Sequence, residues 1–163
     1  MKYPKTALVR SKEWREAVDK LPLTLLLDRL SLPIVTVTVI LAGVVGAFSV
    51  RYLHRDPGFF RFFLLLHLFT FGALLVFMAD SLDVLLGGWE IVGITSVLLI
   101  GFFHERAAPV RAGARAFITN RFGDFGLLTA SLFAAHEFGG DGWAAMNAGA
   151  VHLTPATATV IGL

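Results

Sequence analysis

Four predominantly apolar runs, each close to the roughly 20 residues that a membrane-crossing helix needs, decide which solvent this chain must fold in. They extend from Leu32 to Tyr52, from Phe59 to Ala79, from Leu82 to Phe103 and from Ala114 to Ala135. The runs are continuous rather than alternating with a period of two, and an open sheet cannot satisfy its backbone in lipid, so helix is favoured over strand. The predicted fold is all-α, a polytopic transmembrane helix bundle with four complete spans plus the start of a fifth. That fifth apolar stretch begins at Pro155 and stops at Leu163, about half of a span. The chain is therefore expected to be a segment of a longer protein.

With 56% hydrophobic and only 16% charged residues, the chain belongs to the membrane class, and the lipid bilayer is its first partner. A formal charge of +2 does not imply a nucleic-acid partner, because the basic residues fall in short loops between apolar runs rather than on one polar face. The absence of cysteine removes disulfides, thiolate metal sites, iron-sulfur clusters and cysteine nucleophiles. "HERAA" at His104 and "HEFGG" at His136 begin like a zinc-protease helix but lack the second histidine four residues after the first, so no metal is expected. Neither a glycine-rich phosphate loop nor a dinucleotide fingerprint is present, and no cofactor is expected.

No cleavable signal is visible at the N-terminus. The first twenty residues are highly charged, and "LPLTLLLDRLSLP" is interrupted by Asp28 and Arg29, so insertion must be driven by the spans themselves. The chain divides into a basic N-terminal interfacial segment, 1–31, and a partial transmembrane domain, 32–163. Within the first, Trp14, Ala17, Val18 and Leu21 have helical spacing after Ser11, which reads either as a short amphipathic helix on the membrane surface or as an unstructured leader.

Short loops rich in Lys and Arg stay in the cytoplasm. Arg51, Arg55 and Arg61 after the first run, and Arg106, Arg111 and Arg115 after the third, place both connections there. Asp80 and Asp83 after the second run, and Glu137 and Asp141 after the fourth, place those connections outside. This alternation puts the N-terminal segment outside although it carries Lys2, Lys5, Arg10, Lys12, Arg15, Lys20 and Arg29, as expected if further spans normally precede it.

Against this background Glu90 stands out. It lies eight residues into its run, about 12 Å from the outer end at 1.5 Å per residue. An ionised side chain at such depth costs about 2.5–3.5 kcal/mol, so it faces a bundle interior or a water cavity and is neutralised by a partner or a proton. It is either a proton carrier or a paired group that holds helices together. In the fourth run, "NRFGDFG" places Arg121 and Asp124 three residues apart on one face. They form either a static intrahelical salt bridge or a pair that exchanges partners with the helix of Glu90. Gly123 and Gly126 beside them would let a neighbouring backbone approach closely. His67 within the second run is either a relay group or a histidine bonded to a neighbouring helix. His104, next to Glu105 at the cytoplasmic mouth, either loads protons or is an ordinary solvated loop residue.

"RYLHRDPGFFRFF", "GGWEIVGITSVLLIGFF" and "RAFITNRFGDFGLL", in this order and spacing, resemble the proton-conducting, antiporter-like membrane subunits, and "LLLDRLS" resembles the stretch that precedes a span in these proteins. The family includes the L subunit of respiratory complex I, its mitochondrial chain 5 counterpart, the large subunit of Mrp-type sodium/proton antiporters and the membrane subunit of an inorganic-carbon uptake complex. The similarity covers about Leu23 to Leu163, and Trp89-Glu90 followed by Gly93 and Ser96 is its most specific part. The resemblance implies a longer parent in which these spans would be the third to sixth, within a multi-subunit complex of the cell inner (plasma) membrane. It implies that Glu90 works with a lysine on the next helix, which here is only begun, and that Arg121 and Asp124 modulate it, with His104 as a candidate for proton uptake. It also implies a subunit that moves protons without binding NADH, flavin or quinone itself. A cation/proton antiporter, an inorganic-carbon uptake subunit and a non-transporting assembly module stay open beside a complex-I-like NADH:quinone oxidoreductase.

Overall fold

The computed structural model describes residues 25–138, 142–149 and 159. Five helices follow one another in those residues: α1 (Ser31–Tyr52), α2 (Phe59–Phe77), α3 (Leu82–Ile100), α4 (Ala107–Phe138) and α5 (Trp143–Gly149). The amphipathic segment expected around Trp14–Leu21 lies outside the described residues, as does nearly all of the apolar stretch from Pro155. The chain is a multi-pass membrane protein: α1, α2 and α3, of 22, 19 and 19 residues, are long and apolar enough to cross a bilayer.

α4 differs from the other three. The expected fourth span, Ala114–Ala135, lies wholly inside it, but the helix begins at Ala107 and runs for 32 residues, about 48 Å and well beyond the hydrocarbon thickness. Pro109 falls in its first turn, where the missing N–H would have had no partner anyway. Arg111 and Arg115 sit in this early part and make α4 less apolar than its neighbours, as suits a helix end that emerges into the headgroups, where long side chains reach water.

Local polar chemistry sets where two of the spans begin. Ahead of α1, the backbone N–H groups of Leu30 and Ser31 donate to Asp28 Oδ1 at 2.9 and 2.6 Å, while the Asp28 N–H donates to Ser31 Oγ at 2.8 Å. This reciprocal cap is what the "LLLDRLS" stretch encodes. The Ser31 backbone N–H above all, helped by the Ser31 side chain and the Leu30 N–H, holds the Asp28 carboxyl below its ordinary value. At α3, extended Ser81 accepts the Val84 N–H on its hydroxyl, and Asp83 supplies a negative charge to the first turn.

α2 and α3 pack most intimately, and they do so through glycine. A Cβ on Gly72 would stand 3.0 Å from the Gly88 carbonyl oxygen and 2.8 Å from Ile91 Cγ2, and one on Gly88 would stand 2.9 Å from the Gly72 carbonyl oxygen. The two backbones therefore cross in direct contact. α4 lies on α3, with Gly113 against the Val97 carbonyl oxygen, and α1 flanks α2. Leu41, Val44, Phe48, Phe60, Phe122 and Phe125 are among the many large apolar side chains left on the outside, as lipid rather than water requires.

The connections gather at two opposite ends. At one, Leu26 N–H donates to the Met78 carbonyl, Trp143 N–H to the Asp80 carbonyl, and Trp143 Nε1 to the Ala79 carbonyl at 2.7 Å. Beside them Leu82, Ala134 and Met146 form a small core covered by Phe138 and Trp143. At the other end, Arg61 reaches from α2 to the segment after α3, donating to the Phe102 carbonyl at 2.8 Å with its guanidinium 4.8 Å from the centre of the Phe102 ring.

Candidate functional site: an arginine between two carboxylates

Glu90 follows Gly88 by two residues on α3, about 200° further round the helix axis. Since Gly88 faces α2, Glu90 is turned away from α2 and towards α4. There Arg121 meets it, with Nη2 donating to Glu90 Oε2 at 2.7 Å. The same nitrogen stands 2.8 Å from Oδ2 of Asp124, one turn further along α4. The two contacts are not equivalent. The bond to Glu90 is aligned, whereas Asp124 Oδ2 receives no aligned donor and is held by charge alone; Arg121 Nε has no hydrogen-bond partner among the described residues. The guanidinium also lies 5.2 Å from the centre of the Phe117 ring, one helical turn before it.

Asp124 is fixed from its other side. Trp89 Nε1 donates to Asp124 Oδ1 at 2.9 Å, so α3 grips α4 through two consecutive residues. Asp124 is the most enclosed of the three charged side chains, 11% exposed against 31% for Glu90 and 40% for Arg121. With all three ionised the cluster carries one positive and two negative charges. It can accept a proton, and it offers its arginine two alternative partners.

The sequence places Glu90, Arg121 and Asp124 as candidates, and the structure brings these three together. Arg121 makes the intrahelical contact with Asp124 and, at the same time, a bond to Glu90 on the neighbouring helix. His104 stands apart. It lies beyond the end of α3, and Glu90 to Ile100 alone is about 15 Å along the helix. There its Nδ1 is 3.2 Å from Arg61 Nη2 and 3.3 Å from the Phe102 carbonyl oxygen, in a polar cleft of about 430 Å³ lined by Asp56, Arg61, Glu105 and Arg106. Among the described residues His67 bonds neither a relay partner nor a neighbouring helix; its Nδ1 is 2.6 Å from the carbonyl oxygen of Phe63 on its own helix. Gly123 and Gly126 have nothing within 4 Å of a would-be Cβ; among the described residues the closest backbone approach between helices is at Gly72 and Gly88, with Gly113 next. No group of three or more His, Asp or Glu side chains stands together where a metal ion would be held, among the described residues.

Trp89 and Phe117 are the contributors that charge-based reading passes over. Trp89 adjoins the buried acid in the sequence, but only the pairing of α3 with α4 shows its N–H directed at Asp124.

Two family models match the chain. Residues 14–63 match the N-terminus of chain 5 of NADH-ubiquinone oxidoreductase (complex I), and residues 79–148 match the transmembrane region of NADH:quinone oxidoreductase and Mrp antiporter subunits. Glu90, Arg121, Asp124, Trp89 and His104 all fall in the second region. Among similar proteins, NADH-quinone oxidoreductase subunit L of Mycobacterium tuberculosis is 37% identical over 137 residues, 84% of this chain and 22% of that protein. The chloroplastic NAD(P)H-quinone oxidoreductase subunit 5 of Nephroselmis olivacea is 42% identical over 101 residues, 62% of this chain and 16% of that protein. NADH-ubiquinone oxidoreductase chain 5 of Dictyostelium discoideum is 43% identical over 103 residues, 63% of this chain and 15% of that protein. The chain thus spans about a fifth or less of the length of these relatives.

Proposed function

Because the chain belongs to the antiporter-like membrane subunit family of NADH:quinone oxidoreductases and Mrp antiporters, we propose that it is part of a membrane subunit that moves protons in a complex-I-like NADH:quinone oxidoreductase. Its partners are the bilayer and the other membrane subunits of that complex, and its place is the cell inner (plasma) membrane. Glu90 is the protonatable carrier, Arg121 and Asp124 set its electrostatics, and His104 stands at the cytoplasmic mouth as a proton-uptake residue.

The single observation that supports this reading best is Arg121 Nη2 within 2.7 and 2.8 Å of two carboxylates on two different helices. When Glu90 is ionised, Arg121 bonds it. When a proton converts the Glu90 carboxylate to the acid, the cation loses that attraction and its charge is left to Asp124. Loss of the proton on the other side restores the first state. Protonation removes one of the two contacts and leaves the other in place, so the arginine is never without a carboxylate at a depth where a lone charge costs about 2.5–3.5 kcal/mol. The exchange also alters the field along α4, which gives a coupled event elsewhere a handle on the proton.

Glu90→Gln keeps the shape and hydrogen-bonding capacity of the side chain and removes its titration. The assembled complex carrying it, reconstituted in proteoliposomes, is expected to lose most of its proton movement, at least tenfold. Unchanged pumping would falsify the carrier role. A second reading, cation/proton exchange, draws on the Mrp antiporters named in the match to residues 79–148. Proton movement that requires an imposed sodium gradient rather than quinone reduction would favour it.

A further inference from the structure

Trp89 precedes the carrier in the chain, yet its polar atom serves a different residue. Of the two Asp124 oxygens, Oδ2 faces Arg121 without an aligned donor, and Oδ1 alone receives a directed hydrogen bond, from Trp89 Nε1 at 2.9 Å. The terminal torsion of an aspartate is broad and easily turned, so a carboxylate held only by unaligned charge would rotate. The indole is a rigid donor carried on two torsions, and a hydrogen bond to a charged acceptor is stronger than a neutral one.

We propose that Trp89 is a positioning residue of the proton relay: its indole N–H fixes Asp124 so that Arg121 remains shared between Asp124 and Glu90. The proposal rests on the carrier reading of Glu90 and adds a division of labour to it. When Glu90 gains a proton, Arg121 passes to a carboxylate already in place, through the nitrogen already touching it. Because Trp89 and Glu90 are consecutive on α3, any shift of that turn moves the carrier and the anchor of its rival together. α3 thereby controls both of the arginine's options.

The test separates the donor from the bulk of the side chain. Trp89→Phe keeps a ring and removes the N–H; Trp89→Gln removes the rings but carries an amide nitrogen the same number of bonds from Cβ as the indole nitrogen. In the assembled complex in proteoliposomes, Trp89→Phe is expected to slow proton movement about tenfold, the size of one hydrogen bond to a charged group, with Trp89→Gln the faster of the two. A packing role would reverse that order. The reversed order, or wild-type pumping by Trp89→Phe, overturns the proposal. Glu90→Gln measured alongside keeps the two ideas apart: an inactive Glu90→Gln with a fully active Trp89→Phe rejects only the positioning role, whereas an active Glu90→Gln rejects the carrier on which it rests. Should neither Trp89 variant assemble, the contact is read from its other partner. With indole-¹⁵N tryptophan, Asp124→Ala in the assembled complex should move one indole N–H vibration to its unbonded position, and an unchanged spectrum overturns the proposal.

Discussion

One nitrogen of Arg121 faces two acids, and that imbalance determines what its loss does. Arg121→Gln leaves Glu90 and Asp124 as like charges near each other with no cation between them. Thermal melting of the detergent-extracted complex should show a destabilisation, smaller than for a fully buried pair because 40% of the Arg121 side chain is exposed. Adding Glu90→Gln to the same chain removes one of the stranded charges and should return most of that stability while proton movement stays lost. No recovery in the double variant would mean that the arginine acts through its packing on Phe117. Asp28 gives a contrasting case outside the membrane. Its folded carboxyl is held below its ordinary value of 3.8, so its cap is fully present above 3.8 and is lost as pH falls through the lowered folded value. Asp28→Ala should therefore lower the melting temperature at neutral pH, and the gap from wild type should close in strongly acidic buffer.

At the scale of elements, the α2–α3 crossing is what places Glu90 opposite Arg121. Its requirement is geometric: both Gly72 and Gly88 meet backbone atoms of the opposing helix, which cannot swing aside as a flexible side-chain end can. Gly88→Ala should force the helices apart, costing about 1–3 kcal/mol of stability and weakening proton movement together. Gly87→Ala, one residue earlier with open space around it, should leave proton movement unchanged and stability no lower than wild type, since the same methyl improves helix propensity and meets nothing. Melting curves of the two variants decide the matter, and equal destabilisation would exclude the crossing as the cause. The contrast also shows how far the sequence could be read. Helices α1 to α3 were legible because lipid demands long apolar runs, and Glu90, Arg121 and Asp124 because charge at depth needs a reason. Which of the sixteen glycines carries a crossing was not legible, because every one lacks a Cβ alike and only the partner backbone distinguishes Gly88 from Gly123. Trp89 was hidden for the same reason: a tryptophan in a membrane run is ordinary until the neighbouring helix supplies an acceptor. The early start of α4 was masked by Arg111 and Arg115, which lower hydropathy without opposing helix formation.

For the whole molecule, the two gatherings of connections test the charge alternation independently of any count of Lys and Arg. Arg61 joins the α2 start to the segment after α3, so the two Arg-rich connections share one end of the bundle. The Leu26–Met78 and Trp143–Asp80 bonds join residues before α1, between α2 and α3 and after α4 at the other. An odd number of crossings between the two gatherings follows for every helix from α1 to α4, although α4 is the least apolar of them. The positive-inside tendency then predicts that the Arg-rich end faces the cytoplasm. Because the chain has no cysteine, single substitutions report this directly. His54→Cys and Glu105→Cys, both at exposed positions of the Arg-rich end, should react with a membrane-impermeant maleimide only in inverted vesicles. Glu137→Cys, exposed near the end of α4, should react in intact cells. Labelling of Glu105→Cys and Glu137→Cys from the same side would mean that α4 does not cross. The Glu90–Arg121–Asp124 cluster would then lie at a surface, where water screens its charges and the relay loses its physical basis.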